Sequence, residues 1–253
     1  MSIDWKVIPG AIWRPHQQKL RPVVDLDPVS LSDLLGIDAQ RDALLANTVR
    51  FAHGQPSNNA LLWGARGTGK SSLVKAVVNA GIRHGIRVVQ IDRDDLDRLP
   101  DIVEDHLRGR PFRFVVFCDD LSFAPGERGY RALKTVLEGA IETPADNVRV
   151  YATSNRRHLV PEFAADANGT QVVDTELHYS DEIEEKISLA DRFGLWLSFY
   201  PITQDDYLAI VDHFFAGRDL LRATLHAEAL RFAQTKGGRS GRTARQFFNA
   251  FSS

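Results

Sequence analysis

Residues 64–71, Gly64-Ala65-Arg66-Gly67-Thr68-Gly69-Lys70-Ser71, restrict the fold of this chain more than any other segment. The apolar run Ala60 to Trp63 precedes them and reads as a buried strand; Ser71 to Ala80 follows and reads as a helix. A strand that turns through glycines straight into a helix points consecutive backbone N–H groups at one spot. The helix dipole adds positive potential at the same place, so the turn is built to receive an anion such as a phosphate.

The same alternation continues along the chain. Arg87 to Ile91 reads as a strand, and Leu96, Leu99, Ile102, Val103 and Leu107 as the buried face of an acidic helix. Phe112 to Cys118 is apolar at nearly every position, which implies a strand buried on both faces of a parallel sheet, and it ends in Asp119-Asp120. Tyr130, Leu133, Leu137, Ala140 and Ile141 fall at helical spacing before Pro144, and Val148 to Thr153 reads as the next strand. Residues 164–177 read as a loop or short insertion; Ser180 then caps a helix with Asp181, Glu182 and Glu184 in its first turn and Arg192 at its far end. Trp196 to Tyr200 is the last strand.

Residues 1–29 carry four prolines and no sustained period, and read as an extended N-terminal arm. Leu31 to Phe51 reads as a loop followed by a helix. After Pro201 the chain reads as wholly helical, with a start signal at Thr203 to Asp206 and faces formed by Tyr207, Leu208, Val211, Phe214 and Phe215, then by Ala244, Phe247, Phe248 and Phe251. The expected fold is α/β: a P-loop NTPase parallel sheet flanked by helices (residues 30–200), preceded by the arm (1–29) and followed by a small helical lid (201–253).

With 43% hydrophobic and 25% charged residues over 253 positions, the composition supports a packed core. The balance of 31 Lys+Arg against 33 Asp+Glu provides no global positive field to draw the chain onto nucleic acid or anionic lipid, so any such binding must be local. The single cysteine, Cys118, excludes an internal disulfide and a cysteine-based metal cluster and suits a reducing compartment. With no signal-like start and no long apolar run, the expected setting is the cytoplasm, without a membrane partner.

The chemistry follows from the loop. The pattern GxxxxGKS, a Walker A motif, implies a nucleoside triphosphate, ATP with Mg²⁺: the backbone from Gly64 to Ser72 cradles phosphates, Lys70 reaches the β- and γ-phosphates, and the Ser71 hydroxyl serves Mg²⁺. Phosphoryl transfer also requires an acidic anchor for the metal and a group that orients the nucleophile. Asp119, ending its apolar strand as a Walker B motif does, is the metal candidate, and Asp120 the residue that polarises water.

The order of these motifs, followed by Tyr151-Ala152-Thr153-Ser154-Asn155 and then by Asp191-Arg192-Phe193-Gly194, resembles that of AAA+ ATPases. The resemblance implies that Asn155 is sensor 1, positioning the water and reading the γ-phosphate. It implies that Arg192 is an arginine finger acting in a neighbouring subunit. The tail resembles the AAA+ lid, whose sensor 2 position matches Arg242 or Arg245 and aligns as well with Ala244. Leu34 to Asp38 resembles the adenine-wrapping segment, with Ile37 placed either on the base or in the core.

A closer resemblance covers almost the whole chain, through LLGIDAQ, NALLWGARGTGKSSLVKA, FCDDLSF, YATSNRRHLVPE, EEKISLADRFG and SGRTARQF. It is to bacterial AAA+ ATP-binding proteins of unknown function, and more distantly to replication initiators and helicase loaders. What it implies is an ATPase, homo-oligomeric in its ATP state, that remodels or loads an unknown protein client. Asp120 stands where glutamate is common, which implies slow turnover and keeps open the alternative of an ATP-dependent binding switch. Arg156, Arg157 and His158 read as a solvated or intersubunit face in preference to a nucleic-acid contact. A small-molecule kinase shares the loop but not the Asn155, Arg192 and helical-tail order.

Overall fold

The computed structural model describes residues 3–122, 128–139, 141–155 and 191–251. Among them seven strands form one sheet: β1 (Gly10–Arg14), β2 (Lys19–Val23), β3 (Ala60–Gly64), β4 (Ile86–Gln90), β5 (Arg113–Cys118), β6 (Val148–Ser154) and β7 (Leu195–Phe199). Their order is β2-β1-β4-β5-β6-β3-β7. Every pairing is parallel except β1 with β2. Among the described residues seven α-helices accompany the sheet: α1 (Asp38–Ala52), α2 (Lys70–Gly81), α3 (Leu99–Ile102, continued by a wide turn through Val103–Leu107), α4 (Arg128–Glu138), α5 (Gln204–Phe214), α6 (Arg222–Thr235) and α7 (Gly241–Phe251).

Strand β5 is central, and Phe114, Val115 and Val116 have no exposed surface. Alternation along it feeds two cores. Val115 and Phe117 face Leu44 and Phe51 of α1 and Leu73 and Val77 of α2. Phe114 and Val116 face Leu99, Ile102 and Leu107 of the α3 segment and Leu133 of α4. Tyr151 brings a hydroxyl into the first core, where burial raises its pKa; Asn47 Nδ2 bonds it at 3.0 Å and Thr48 Oγ1 at 2.9 Å. A buried hydroxyl left unbonded costs about 1–3 kcal/mol, so this pair fixes α1 against the sheet.

Two local expectations differ from the structure. Residues 10–14 and 19–23, read as part of an arm without a period, are strands, with β1 parallel to β4 and β2 on the outer edge. Prolines break any period over so short a stretch, yet Pro22 is tolerated because an edge strand leaves one row of its N–H groups unpaired. Trp5 and Trp13 are buried against the sheet, and the Arg87 guanidinium, itself buried over the Phe112 ring, donates to the Trp5 carbonyl at 2.6 Å. Helix α4 ends at Glu138 with Gly139 at φ 84°, so Ile141, expected on its buried face, is fully exposed; Ala140 lies outside the described residues.

The three C-terminal helices have a core of their own. Tyr207, Ile210 and Val211 of α5, Ala229 and Ala233 of α6, and Ala244 and Phe247 of α7 pack together. Thr203 starts α5 with a capping box, accepting from the Asp206 N–H while the Asp206 carboxylate accepts from the Thr203 N–H. Among the described residues no helix is long and apolar enough to cross a membrane.

Candidate nucleotide site

The loop after β3 takes its shape from glycines. Gly64 has φ 129°, and a Cβ there would lie 2.0 Å from the Phe199 carbonyl oxygen, so a side chain is excluded. The same carbonyl accepts from Ala65 N–H at 2.9 Å, tying the start of the loop to the end of β7. Gly69, at φ 97°, begins α2, whose first residue is Lys70.

Lys70 is buried, and its ammonium donates to the carbonyls of Gly64 (2.8 Å) and Ala65 (2.6 Å) and to Asn155 Oδ1 (3.1 Å). Burial lowers its pKa; Asp119 and Asp120 oppose that shift and Arg66 adds to it. Ser71 Oγ donates to Asp119 Oδ1 at 2.6 Å, and Thr153 Oγ1 donates to the same oxygen at 2.5 Å. Asp120 has φ 55°, one of two non-glycine residues with positive φ among the described residues. Its N–H donates to Thr153 Oγ1 at 2.9 Å, and its carboxylate accepts from Asn155 Nδ2 at 2.5 Å. Residues far apart in sequence therefore form one polar network at the C-terminal ends of β3, β5 and β6.

A cavity of about 790 Å³ opens over this network. Arg66 to Ser72, Asp119, Asp120 and Asn155 line it together with the apolar Leu34, Leu35, Ile37, Ile202, Ile210 and Phe214. A lining both polar and apolar suits a molecule with a charged tail and a flat apolar head, and the volume lies within the range of ligand pockets, about 300–1,000 Å³. Ile37 lines the cavity and also belongs to the core. Among the described residues no group of three or more His, Cys, Asp or Glu gathers to hold a metal. A divalent ion at Ser71 and Asp119 would take its other ligands from water and phosphate, as Mg²⁺ does.

The lid touches the loop directly. Gly241 N–H, at the start of α7, donates to the Gly67 carbonyl at 3.2 Å, and a Cβ on Gly67 would come 2.8 Å from Ser240 Cβ. Arg242 and Arg245 both line the cavity, Arg245 with its guanidinium 4.4 Å from the Phe214 ring centroid. Ala244, the third position matching sensor 2, is buried in the lid core and faces away.

Arg192 lies elsewhere. It precedes β7, at the end of the sheet opposite the loop, and forms an ion pair with Glu138 of α4. Five residues of strand separate the two ends, about 16 Å at ~3.3 Å per residue. Arg156, Arg157, His158 and the helix start at Ser180 to Glu184 lie outside the described residues.

The family described as "Protein of unknown function (DUF815)" matches residues 7–253. The chain belongs to this family. No curated protein matches it. Among solved structures, it resembles the FIGL-1 AAA domain in complex with ADP, with a TM-score of 0.58 and 18% identity over 88% of this chain and 72% of that one. It resembles AMPPCP-bound DnaA from Aquifex aeolicus, with a TM-score of 0.55 and 16% identity over 90% and 65% of the two chains. It also resembles the RuvB Holliday junction branch migration motor of Thermotoga maritima, with a TM-score of 0.50 and 13% identity over 88% and 72%. The fold is therefore that of the AAA+ ATPases, a P-loop NTPase α/β fold.

Sequence reasoning missed Thr153, Glu138 and the contact of Ser240 and Gly241 with the loop. Thr153 stands two residues before Asn155, yet nothing in the sequence marks its hydroxyl as a partner of Asp119.

Proposed function

We propose that this chain binds Mg-ATP in the cavity above β3, β5 and β6 and hydrolyses it to ADP and phosphate. In this reading it acts as a homo-oligomer in the ATP state, Arg192 of one copy entering the next copy's site, and the cycle remodels or loads a protein client. The cytoplasm is the setting that fits its one cysteine, buried and free. The observation that carries the proposal is the joining of Lys70, Ser71, Asp119, Asp120 and Asn155 in a single network beneath the glycine loop.

The loop amides and Lys70 would hold the β- and γ-phosphates, exchanging the carbonyls and Asn155 that the ammonium now meets for phosphate oxygens. Ser71 and Asp119 would hold Mg²⁺, which would supply positive charge to offset that of the phosphates. Asp120 would accept a hydrogen bond from the attacking water and Asn155 would fix its direction. As the water oxygen bonded to the γ-phosphorus, the bond to the β–γ bridging oxygen would break with its electron pair leaving on ADP, and the water's protons would end on the released phosphate, one of them by way of Asp120. Arg242 and Arg245 would close over the triphosphate from the lid, and Ile37 would pack on the base.

Hydrolysis measured over a wide dilution series tests the reading. Turnover per chain is expected to rise with concentration, and Lys70→Ala to abolish both ATP binding and turnover. A Lys70→Ala protein that binds and turns over ATP like wild type would refute it. A second reading, an ATP-dependent switch with little hydrolysis, is favoured by one observation: the short Asp120 carboxylate is already bonded to Asn155. Partner capture that requires ATP, fails in Lys70→Ala and persists undiminished in Asp120→Ala would select the switch.

A further inference from the structure

We propose that Thr153 is a positioning residue for both aspartates of the site, setting the metal-side oxygen of Asp119 and the backbone turn that aims Asp120. This rests on the Mg-ATP reading above and extends it to a side chain to which the sequence motifs assign no role. The evidence is the bonding of a single buried hydroxyl. Thr153 is 1% exposed, on β6, in line with the end of β5, where Cys118 pairs with Ala152. Its hydroxyl hydrogen goes to Asp119 Oδ1, and its oxygen accepts the Asp120 N–H. Its backbone carbonyl accepts the Leu121 N–H at 2.6 Å. Three successive residues after β5 are thus pinned to one threonine.

The arrangement has two consequences. Asp119 Oδ1 accepts from both Ser71 and Thr153, so its orientation is held from two sides; with Ser71 turned to an ion, Thr153 is the remaining donor to that oxygen among the described residues. Asp120 adopts a left-handed backbone that a residue with a Cβ enters only at a cost. The bonds from Asp120 N–H and Leu121 N–H to Thr153 hold that turn, and the turn directs the Asp120 carboxylate to Asn155. Thr153 needs no contact with nucleotide to act.

Thr153→Val keeps shape and removes the hydroxyl; Thr153→Ser keeps the hydroxyl and removes the methyl. In the full chain, kcat and KM for ATP would be measured, together with the Kd of a fluorescent ATP analogue in EDTA and across a Mg²⁺ titration. Outer-shell partners of metal ligands are worth about 10–100-fold in affinity or activity. Thr153→Val is expected to lower kcat by that factor and to raise the Mg²⁺ needed for half-maximal binding, with the EDTA Kd unchanged. Thr153→Ser is expected to stay near wild type in all three. The proposal is overturned if Val keeps the wild-type kcat and Mg²⁺ response, if Ser fails as Val does, or if Val also loses binding in EDTA. Should wild type bind but not hydrolyse, the hydrolytic reading fails while the Mg²⁺ titration still decides the role of Thr153.

Discussion

The C-terminal and N-terminal ends of the parallel strands treat their cations differently. At the C-terminal end, Lys70 is buried among carbonyls, Asn155 and two aspartates, and every group is positioned by another. At the N-terminal end, Arg192 pairs with Glu138, whose side chain is 43% exposed. The first end is organised for a ligand within one chain. The second holds a cation separated from the loop by the full length of β7. In the proposed reading that charge would serve a neighbour's site.

The most severe test of that division is Arg192→Ala. An arginine supplied in trans is worth about 10³–10⁵ in the rate of nucleotide hydrolysis, so turnover is expected to fall by that order at concentrations where wild type is assembled. The nucleotide Kd should stay within about twofold, because the phosphate-binding end loses nothing. Mixing sharpens the test. Arg192→Ala retains an intact loop and Lys70→Ala an intact Arg192, so under the proposed reading an equimolar mixture should recover turnover that neither variant shows alone. An Arg192→Ala protein as fast as wild type would mean that the two ends do not share a reaction.

The smaller, second test uses the buried cation. Burial, helped by Arg66 and opposed by Asp119 and Asp120, puts the Lys70 pKa below its ordinary 10.5. In the window between the lowered value and 10.5 the folded, ligand-free chain releases this proton while the unfolded chain keeps it. The penalty for burying the charge is thereby relieved, so the contribution of Lys70 to stability improves as pH rises through that window. Phosphate binding needs the charge and moves the opposite way: the Kd should rise by about tenfold per pH unit once above the lowered value. Nucleotide titrations from neutral pH upward would show the decline beginning below 10.5. An affinity that holds to 10.5 would mean that the lysine is not desolvated as its surroundings imply.

The two ends also differed in how far they could be read from sequence. Gly64 to Ser71, Asp119 and Asp120 are local patterns: each strand carries its functional residue at its own C-terminal end, so parallel alignment alone brings them together. Thr153 needed the register of β6 against β5, and no run of residues states that two hydrogen bonds will converge on one hydroxyl. Glu138 was out of reach because its partner Arg192 lies 54 positions away on another element, and exposed acidic residues are common on helices. The lid contact at Gly67 depends on how two separate cores sit against each other, which periodicity within α7 cannot report. The edge strand β2 was lost to its proline, and the end of α4 to Gly139, whose positive φ stops the helix before the expected Ile141.

Glu138 offers the finest test, because it asks what the N-terminal end does while it waits. If the carboxylate simply stores Arg192, then Glu138→Gln releases the guanidinium for a neighbour. Partly exposed ion pairs contribute about 0–1 kcal/mol, so the concentration for half-maximal turnover should fall by up to about fivefold, with the unfolding midpoint nearly unchanged. If instead Glu138 aims Arg192 at the neighbouring site, the same substitution slows turnover at saturating concentration and leaves the assembly midpoint in place. A fall in midpoint identifies competition between the pair and the interface; a fall in maximal rate makes the pair part of the shared site. In the second case the N-terminal end would be as much preorganised as the C-terminal one, and the contrast between them would be one of distance alone.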